Sequence, residues 1–512
     1  MNSLDSALAQ LPGLLQAHVA LSLAALALAL LIGLPLALLA AGRARLGSVI
    51  LSATAIVQTV PGLALLALFY PALLLLGRAT GLAIPALGFL PAVAALTLYA
   101  MLPILRNGVA GIEGVDPAAL EVADSLGMTR RQRLRFVELP LAAPVMLAGI
   151  RTAAVWTFGT ATLATTVGQP SLGNLIFAGL QTEDWTLVLV GCIAAAAVAL
   201  LVDGLLALAA SGLARRASWR LWCAAAGMAG IVLLALVPLD AGSDRPVITV
   251  GAKNFSEQYI LASLIEARLQ RAGFATERRD NLGSSIAYRA LATGDIDVYV
   301  DYSGTLWSNV LQRGDTPGRE AMLDELRTQL AARDDVTLLA PLGFENAYAF
   351  AVRSDPGAPA TLDDLAARSP ALDLGTDLEF TDRPEWEAVK ARYPMRFRSI
   401  TQYSPTFMYR AIADGTVDAI TAFSSDGRIA ALDLTVLEDP RGALPRYDAV
   451  VLLSPQASAD PRVARALQGL DEAISIDAMR QANLMVDRAT DKASPAQAAA
   501  WLEGQVAGSS SP

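Results

Sequence analysis

The segment GVDPAALEVADSLGMTRRQRLRFVELPLAAP, residues 114–144, is a charged interruption between two long apolar runs. Within it, Asp116 is a favourable N-cap residue, and Pro117 suits the first position of a helix. Gly127 is placed to end that helix, because glycine readily adopts the left-handed conformation found after a helix C-terminus. We therefore predict a short helix that begins at Pro117 and ends just before Gly127.

A second short helix is predicted directly after this glycine. Thr129 and Gln132 have the spacing of a capping box, in which each side chain accepts a hydrogen bond from the other residue's backbone N–H. The helix is expected to stop before Pro140, since proline cannot donate the hydrogen bond that continues a helix. We call residues 116–140 the elbow: two short helices joined by a glycine.

The sequence around the elbow has the composition of a membrane protein up to about residue 239. The chain has 512 residues, of which 54% are hydrophobic and 17% charged, whereas an average soluble protein is about 25% charged. A bilayer-spanning helix needs about 20 apolar residues. We predict an all-α polytopic membrane domain over residues 1–239 and a soluble domain over 246–507. Six candidate spans lie at 17–41, 48–76, 84–105, 142–167, 186–209 and 219–238.

Arginine distribution predicts which side of the membrane each loop occupies, since short cytoplasmic loops are rich in Lys and Arg. Three alternate loops, after the first, third and fifth candidate spans, are basic. We therefore place the loop at 106–141, which contains the elbow, in the cytoplasm, and both the N-terminus and the soluble domain outside. The basic loops contain Arg43, Arg45, Arg106, Arg130, Arg131, Arg133, Arg135, Arg215, Arg216 and Arg220.

Two further features within the apolar runs affect this reading. The second candidate span contains Pro61-Gly62 and Pro71, so we expect it to be kinked or partly re-entrant. Asp203, inside the fifth span, is costly in lipid. It is a candidate for lining a pathway, although a packing or interfacial role is at least as well supported by its position near a helix end.

Composition also excludes several classes of function. The net charge of −9 gives no basic surface for nucleic acid. The chain has one histidine, His18, and two cysteines, Cys192 and Cys223, so we expect no metal site, no disulfide framework and no cofactor. The soluble domain has no histidine and no nucleophile motif, which argues against an enzyme. The sequence contains no phosphate-binding G-x-x-x-x-G-K-[ST] motif, so any ATP hydrolysis is assigned to a partner.

The elbow resembles the cytoplasmic "EAA" loop of the permeases of binding-protein-dependent ABC importers. Val122 departs from that family's usual alanine. The resemblance implies that the elbow docks on a separate ATPase subunit, present as a dimer, and that two copies of this chain form the permease in the membrane lipid. The residues that match the family's coupling motif are Glu121, Ala123, Gly127, Leu139 and Pro140.

The soluble domain is predicted to be α/β, with two similar lobes and mainly parallel sheets. The stretch ALATGDIDVYVDYSGT (290–305) aligns without gaps on AIADGTVDAITAFSSD (411–426). Each reads as a helix end, a glycine, a strand and a polar loop, so Tyr302 and Phe423 occupy equivalent positions. We predict lobe 1 over 246–343 and 453–507, lobe 2 over 344–452, and a ligand cleft at the ends of the strands.

The soluble half resembles the extracytoplasmic binding proteins of osmoprotectant importers, which take up glycine betaine, choline or carnitine. The matching motifs are GAKNFSEQYIL, NLGSS, YVDYSGT, GFENAYAFAVR, LEFTDRPEW and GALPRYDAVVL. The resemblance implies an aromatic cage for a quaternary ammonium group, and groups that hold the ligand's carboxylate. The implied cage residues are Tyr302, Tyr348, Phe423 and Tyr447. The implied carboxylate ligands are Lys253, Thr305 and Arg383.

The physical chemistry of this ligand class agrees with an aromatic site. A trimethylammonium group is charged but has no N–H donor, so aromatic ring faces are its available partners. Phe423 stands where the family usually has tyrosine, which keeps the ring face and loses the hydroxyl. Tyr288 and Tyr409 lie inside helical patterns and are predicted to be core residues instead.

Alternatives remain open at this stage. Another small zwitterion or an amino acid is a candidate ligand, because Glu379 next to Arg383 would suit an α-amino and α-carboxylate pair. A ligand-gated receptor and an enzyme in the soluble domain are weaker alternatives, since the sequence shows neither a pore loop nor a catalytic motif.

Overall fold

The computed structural model describes residues 3–509 except 83, 183, 237–244, 316, 378–379, 404 and 489. Contacts divide the chain into two compact units. One contains Leu4–Leu180 and Trp185–Ser243, and the other contains Asp244–Pro512. The predicted domain boundary between residues 239 and 246 therefore falls largely outside the described residues.

The N-terminal unit is helical. Among its described residues, six helical segments are long and apolar enough to cross a membrane: Leu4–Ala40, Gly62–Thr80, Phe89–Glu113, Arg130–Val167, Trp185–Ala214 and Ser218–Leu236. This confirms the prediction of about six spans. The α-helices are α1 Ser3–Ala40, α2 Ala44–Thr59, α3 Gly62–Thr80, α4 Phe89–Glu113, α5 Pro117–Ser125, α6 Arg130–Arg133, α7 Leu139–Thr160, α8 Gly173–Gln181, α9 Trp185–Ala214 and α10 Ser218–Leu236.

The second predicted span is divided rather than kinked. Val60 and Pro61 have extended backbone (ψ 126° and 139°) between α2 and α3. Proline has no N–H to donate and disfavours helical backbone in the residue before it. The two residues therefore end α2 and begin α3, and α3 alone is the span.

Small residues allow the membrane helices to approach closely. A Cβ added at Gly108 of α4 would lie 2.6 Å from Cβ of Ala37, and one at Gly149 of α7 would lie 2.6 Å from the carbonyl oxygen of Pro103. Close backbone approach at glycine is a common basis of helix association in membranes. The hydrophobic effect does not drive helices together there, because lipid tails are as apolar as the helix surfaces. These contacts fix α4 against both α1 and α7.

Asp203 has a partner that the sequence did not indicate. Arg151 of α7 donates two hydrogen bonds to the Asp203 carboxylate of α9, at 2.8 Å and 2.9 Å. A bidentate pair satisfies both charges within the helical unit. The pair therefore joins α7 to α9, and the packing role considered for Asp203 is the one that the structure supports.

The elbow has the predicted caps. Asp116 accepts a hydrogen bond from the N–H of Ala118, and Thr129 and Gln132 form the capping box. Gly127 adopts φ +71°, a conformation that favours glycine. Arg133 forms an ion pair with Asp124 on the other side of Gly127, and this pair links the two short helices.

The predicted stop before Pro140 is wrong. The second short helix continues as a π-helix over Leu134–Glu138 and joins α7 directly. A proline ring clashes with the carbonyl of the residue four positions earlier in an α-helix, and the wider π-turn immediately before Pro140 removes that geometry. The elbow and the fourth span are thus one continuous helix from Arg130 onward.

The described part of the C-terminal unit forms two five-stranded sheets, with strand orders β2-β1-β3-β10-β4 and β7-β6-β8-β5-β9. The two-lobed α/β prediction is confirmed. The strands are β1 Val247–Lys253, β2 Ala275–Leu282, β3 Val298–Tyr302, β4 Thr337–Glu345, β5 Tyr348–Arg353, β6 Asp373–Thr376, β7 Ser399–Gln402, β8 Ala419–Phe423, β9 Leu434–Val436 and β10 Asp448–Leu453.

Helices cover these sheets. The α-helices of the unit are α11 Ser256–Arg271, α12 Ser284–Thr293, α13 Ser303–Thr305, α14 Arg319–Asp334, α15 Leu362–Arg368, α16 Pro384–Arg392, α17 Pro405–Ala413, α18 Arg428–Ala431, α19 Pro455–Ala459, α20 Pro461–Leu467, α21 Ile476–Asp487 and α22 Pro495–Ser509. Tyr288 of α12 and Tyr409 of α17 are buried, as predicted.

The sheets are mixed, not mainly parallel. The strand that enters lobe 2, β5, runs antiparallel to β8 and β9, and the strand that returns, β10, runs antiparallel to β3 and β4. A strand that arrives directly from the other lobe has no crossover helix to reverse its direction, so it pairs antiparallel. Because β10 lies in the first sheet, lobe 2 ends before residue 448 rather than at 452.

The internal repeat is visible in the structure. Gly294 and Gly415 both follow a helix with positive φ, at +79° and +74°, and β3 and β8 come next. Tyr302 and Phe423 are the last residues of these two strands. The repeat therefore places the two rings at the carboxyl ends of corresponding strands.

Helix α21 contacts both lobes. Asp487 at its end accepts a hydrogen bond from Ser256 of α11, and a Cβ at Gly427 beside α18 would lie 2.4 Å from the backbone nitrogen of Leu484. Burial raises the pKa of Asp487 to about 6. The charge of this carboxyl group therefore changes in a pH range close to neutrality.

Candidate functional site

Strand topology places the four predicted cage residues where the chain passes between the sheets. Tyr302 ends β3 and Phe423 ends β8, whereas Tyr348 begins β5 and Tyr447 lies directly before β10. Tyr348 and Phe423 are paired across the antiparallel strands β5 and β8. All four positions are thus strand ends close to the two crossovers.

Three of the four cage residues, with Arg383, are neighbours. The ring centroids of Tyr348 and Phe423 are 4.9 Å apart. Arg383, the N-cap residue of α16, lies over the Tyr348 ring with its Cζ 5.2 Å from the centroid, and its Nη2 is 3.3 Å from the hydroxyl of Tyr447. Arg383 therefore connects an aromatic pair in lobe 2 to the tyrosine at the return crossover.

Tyr302 and Lys253 form a second group in lobe 1. Lys253 ends β1 and is buried, with its Nζ 5.2 Å from the Tyr302 ring centroid. Its ammonium group forms an ion pair with buried Asp301, and Phe255 stacks against Tyr302 at a centroid distance of 6.2 Å. The lysine thus has a counter-ion within its own lobe.

Two contacts join these groups. Glu257 accepts hydrogen bonds from Tyr302 and, at 3.1 Å, from Asn346, which precedes Tyr348 by two residues. A Cβ added at Gly304 would lie 2.8 Å from the Tyr447 ring, so that ring packs on the glycine two residues after Tyr302. The structure therefore brings the predicted cage residues into one connected region, within which the rings of Tyr348 and Phe423 are in contact.

Each tyrosine of the predicted cage donates its hydroxyl hydrogen to a buried carboxylate. The pairs are Tyr302 with Glu257, Tyr348 with Asp377 and Tyr447 with Glu385. Burial, together with the adjacent negative charge of Glu257 or Glu385, raises the pKa of Tyr302 and of Tyr447, so both hydroxyls stay protonated and act as donors.

The two glutamates in these pairs differ in their electrostatics. Burial raises the pKa of Glu257, against the effect of hydrogen bonds from Ser425, Tyr302 and the side-chain amides around it. Burial would also raise the pKa of Glu385, but hydrogen bonds from Arg383 and Tyr447 hold it below its ordinary value. Glu385 is therefore ionised at neutral pH.

Sequence reasoning missed these acids. Glu257 lies in the quoted motif GAKNFSEQYIL, Asp301 in YVDYSGT and Glu385 in LEFTDRPEW. A charged residue such as Asp301 inside an otherwise apolar strand was a usable signal, because a buried charge requires a partner. Thr305 is half-buried in α13, three residues after Tyr302, and Glu379 lies outside the described residues.

The elbow presents a second candidate surface. Its short helices enclose an open apolar groove of about 430 Å³ lined by Ala118, Ala119, Val122, Ala123, Leu126, Met128 and Val137. Ala123, on α5, is buried, whereas Glu121 and Pro140 are exposed and Leu139 is half-buried. Leu126 is 72% exposed and Val122 60%. An exposed apolar groove on a polar loop is a feature of protein contact surfaces.

Comparison with known proteins gives matches over both units. The family model "substrate binding domain of ABC-type glycine betaine transport system" matches residues 246–504. The model "binding-protein-dependent transport system inner membrane component" matches residues 33–215.

Two relatives and one solved structure are similar to this chain. The ergothioneine transport permease/ergothioneine binding protein EgtU of Helicobacter pylori is 27% identical over 449 residues, covering 84% of this chain and 78% of the relative. The choline transport system permease protein OpuBB of Bacillus subtilis is 40% identical over 192 residues, covering 38% of this chain and 83% of the relative. The match to a solved structure of a glycine betaine/carnitine/choline ABC transporter covers 49% of this chain and 96% of the solved chain, at 26% identity and a TM-score of 0.46.

These matches account for the two units and for the location of the chain. The permease match, with its six apolar helical segments, identifies a multi-pass inner-membrane protein. The binding domain is extracytoplasmic in this family, and the relatives are transport permeases and binding proteins rather than enzymes, with the ATPase as a separate cytoplasmic subunit. The chain therefore belongs to the family of ABC-type glycine betaine transport systems, as an importer of osmoprotectant-type substrates in which permease and substrate-binding domain are fused.

Proposed function

We propose that this importer takes up a quaternary-ammonium compound such as glycine betaine, held by Tyr302, Tyr348, Phe423 and Tyr447. The observation that supports this most directly is the connection of Tyr348, Phe423 and Tyr447 through Arg383 at the crossovers between the lobes. A ring pair from one lobe and a tyrosine from the crossover can close on a ligand together when the lobes move.

Four aromatic rings, together with contacts to the ligand's carboxylate, can supply the free energy of micromolar binding. Each cation–π contact is worth roughly 0.5–2 kcal/mol, so four rings supply about 2–8 kcal/mol. Micromolar binding requires about 8 kcal/mol in total. Contacts to the ligand's carboxylate are therefore part of the proposal, with Arg383, Thr305 and Lys253 as the donors, and Lys253 shared with Asp301.

Ergothioneine is the second candidate ligand. The relative named as an ergothioneine transporter aligns over 84% of this chain, across both the permease and the binding domain. Ergothioneine is itself a trimethylammonium betaine, so the same cage chemistry applies. An amino acid with a free ammonium group is a third possibility, for which the predicted acid, Glu379, lies outside the described residues.

On the cytoplasmic side, we infer that the apolar groove of the elbow receives the ATPase subunit. The groove is framed by exposed Val122 and Leu126, and the ion pair between Arg133 and Asp124 holds its two helices at a fixed angle. Two copies of this chain with an ATPase dimer complete the proposed importer.

A binding titration tests the ligand class. The full chain, reconstituted in lipid nanodiscs, is titrated with glycine betaine, choline, carnitine, ergothioneine and the unmethylated amino acids glycine and histidine. We expect saturable binding of at least one quaternary-ammonium compound and no binding of glycine or histidine. Binding of an amino acid in preference to every quaternary ammonium compound contradicts the proposal.

A matched pair of variants links that binding to the cage. Phe423 and Phe397 are both half-buried phenylalanines packed against the same lobe 2 core. Phe423→Ala should weaken quaternary-ammonium binding by about 0.5–2 kcal/mol, and Phe397→Ala should not change it. Equal losses in both variants would show that the effect comes from the core and not from a ring facing the ligand.

A further inference from the structure

The segment between the last two membrane helices lies outside both family matches. The permease match ends at residue 215, and the binding-domain match begins at residue 246. Helix α10 and the turn that leads into it fall between these limits, so membership of the family assigns them no role. We call residues 215–222, with the sequence RRASWRLW, the basic segment.

The basic segment has three positive charges that its neighbours in the sequence do not neutralise. Arg215 and Arg216 are exposed, and Arg220 is half-buried. No acidic residue occurs at positions 204–239 of the sequence. Asp203, the acid directly before that stretch, is already paired with an arginine of α7. The segment is therefore a concentration of positive charge at the junction of two apolar helices.

The other basic loops of the membrane unit differ in this respect. In the elbow, Arg133 forms an ion pair with Asp124. In the turn between α1 and α2, the backbone N–H of Gly42, next to Arg43, donates a hydrogen bond to Glu113. Both loops thus have a carboxylate close to their arginines, so an uncompensated charge is not a general consequence of a loop between spans.

Arg220 is oriented by uncharged groups. Its Nη1 donates to Oγ of Ser211 at 3.2 Å, and its Cζ lies 5.3 Å from the centroid of the Trp219 ring. A Cβ added at Gly212 would lie 3.1 Å from Cβ of Arg220, so the start of α10 packs closely on the end of α9. The guanidinium group is therefore fixed in position while its charge stays available.

Arg216 has a backbone conformation that usually belongs to glycine. Its φ is +50°, and its N–H donates to the carbonyl of Leu213 at the end of α9. Glycine is common at such a position after a helix, because a Cβ is disfavoured there. The tight turn brings exposed Arg215 and Arg216 to the same helix junction as Arg220.

Two tryptophans indicate the depth of this segment in a membrane. Trp219 is 61% exposed and Trp222 is 76% exposed, and side chains three positions apart lie on the same side of a helix. Tryptophan is enriched where the hydrocarbon of a bilayer meets the lipid headgroups. Since Ser218–Leu236 is apolar enough to span a membrane, its first turn is expected at headgroup level.

The segment faces the cytoplasmic leaflet. The binding domain is extracytoplasmic in this family, and α10 is the span that precedes it, so the opposite end of α10 lies on the cytoplasmic side. The cytoplasmic surface of a membrane is negatively charged by its anionic lipids. A guanidinium group matches the geometry of a phosphate and binds it through two parallel hydrogen bonds.

We propose that the basic segment is a binding site for the headgroup of an anionic phospholipid, with Arg215, Arg216 and Arg220 as donors to its phosphate oxygens. The exposed rings of Trp219 and Trp222 favour a lipid over a soluble anion, because they pack beside the upper part of its acyl chains. A bound lipid would fix the start of α10, the helix that precedes the binding domain, against α9. This inference does not depend on which ligand the binding domain takes.

A lipid titration tests the proposal. The full chain in a neutral detergent is titrated with phosphatidylglycerol and with phosphatidylcholine that has the same acyl chains, and bound lipid is counted by native mass spectrometry. Wild-type protein should prefer phosphatidylglycerol. Replacing Arg215 and Arg216 together by glutamine should reduce that preference by about 25-fold, at about fivefold for each arginine near an anionic headgroup. Arg220→Gln should act in the same direction, which keeps the test decisive if the double variant does not fold.

A second double variant is the matched control. Arg43→Gln with Arg45→Gln removes the same charge from the turn between α1 and α2, which has no tryptophan. It should leave the preference for phosphatidylglycerol unchanged. Equal losses in the two double variants would mean that lipid responds to net charge and not to a site, and would overturn the proposal.

Three further outcomes would also overturn it. A wild-type chain that binds both lipids equally has no anionic lipid site. Displacement of phosphatidylglycerol by inorganic phosphate would mean that the segment takes a soluble anion. If the variant at Arg215 and Arg216 loses binding of the purified ATPase subunit and keeps its lipid preference, the segment is a contact for that subunit instead.

Discussion

Replacing Gly304 by alanine should disturb the predicted cage although no aromatic residue is itself substituted. The added Cβ would lie 2.6 Å from the carbonyl oxygen of Arg446 and 2.8 Å from two ring carbons of Tyr447. Ordinary contacts of this kind exceed about 3.4 Å, so the carbonyl or the ring must move by roughly half an ångström or more. Overpacking of this kind costs about 1–3 kcal/mol of stability.

The ring of Tyr447 is held by its hydroxyl, which contacts Glu385 and Arg383. Displacing it should therefore lower the affinity for a quaternary-ammonium ligand by about 0.5–2 kcal/mol, the range of one cation–π contact. We would measure equilibrium binding and thermal unfolding of the full chain, with and without ligand. The stabilisation by ligand should shrink together with the affinity.

Gly318→Ala is the matched control for this experiment. Gly318 lies at the N-cap of α14 with φ −62°, and a Cβ there would meet no atom within 4 Å. It should bind ligand as the wild type does. Wild-type affinity in Gly304→Ala would refute the reasoning, because it would mean that Tyr447 can move without consequence for the ligand.

Three other predictions follow from the structure. Replacing Lys253 or Arg383 by methionine should weaken glycine betaine more than choline in parallel titrations, since choline has no carboxylate; equal losses would remove both residues from the carboxylate site. Gly127→Val should impose a strain of about 1–2 kcal/mol at φ +71°, abolish ligand-stimulated ATP hydrolysis with the partner subunit and leave ligand binding intact; normal transport by this variant would contradict the coupling role of the elbow. Burial raises the pKa of Asp487 to about 6, so the folded state favours its protonated form, and this contribution to stability is lost as the pH rises from about 4 to about 6. Asp487→Asn, which carries no charge, should therefore raise the free energy of unfolding at pH 7.5 by on the order of 2–3 kcal/mol in a denaturant titration. A variant less stable than wild type at that pH would contradict this prediction.

Local signals in the sequence were sufficient for the elbow caps and for the internal repeat. The capping hydrogen bonds of Asp116, Thr129 and Gln132 join residues at most three positions apart in the sequence. The two glycines of the repeat each adopt a left-handed backbone. Such features depend on neighbouring residues alone, so a single sequence can predict them.

Features that depend on distant residues were not predicted. The antiparallel direction of β5 and β10 follows from the chain crossing between lobes, which no local pattern encodes. The acid partners of the tyrosines lie far away in sequence: Glu257 is 45 residues from Tyr302, and Glu385 is 62 residues from Tyr447. The continuation through Pro140 depends on a π-turn, and the rule that proline ends a helix gives no warning of it.

The continuity of the elbow with the fourth span has a mechanical consequence. A loop would absorb a push from a docked subunit as bending, whereas an unbroken helix from Arg130 to Thr160 carries both displacement and torque along its axis. Arg151 lies on that helix and is fixed to Asp203 of α9 by two hydrogen bonds. A rotation imposed at the elbow would therefore be transmitted through the Arg151–Asp203 pair to α9.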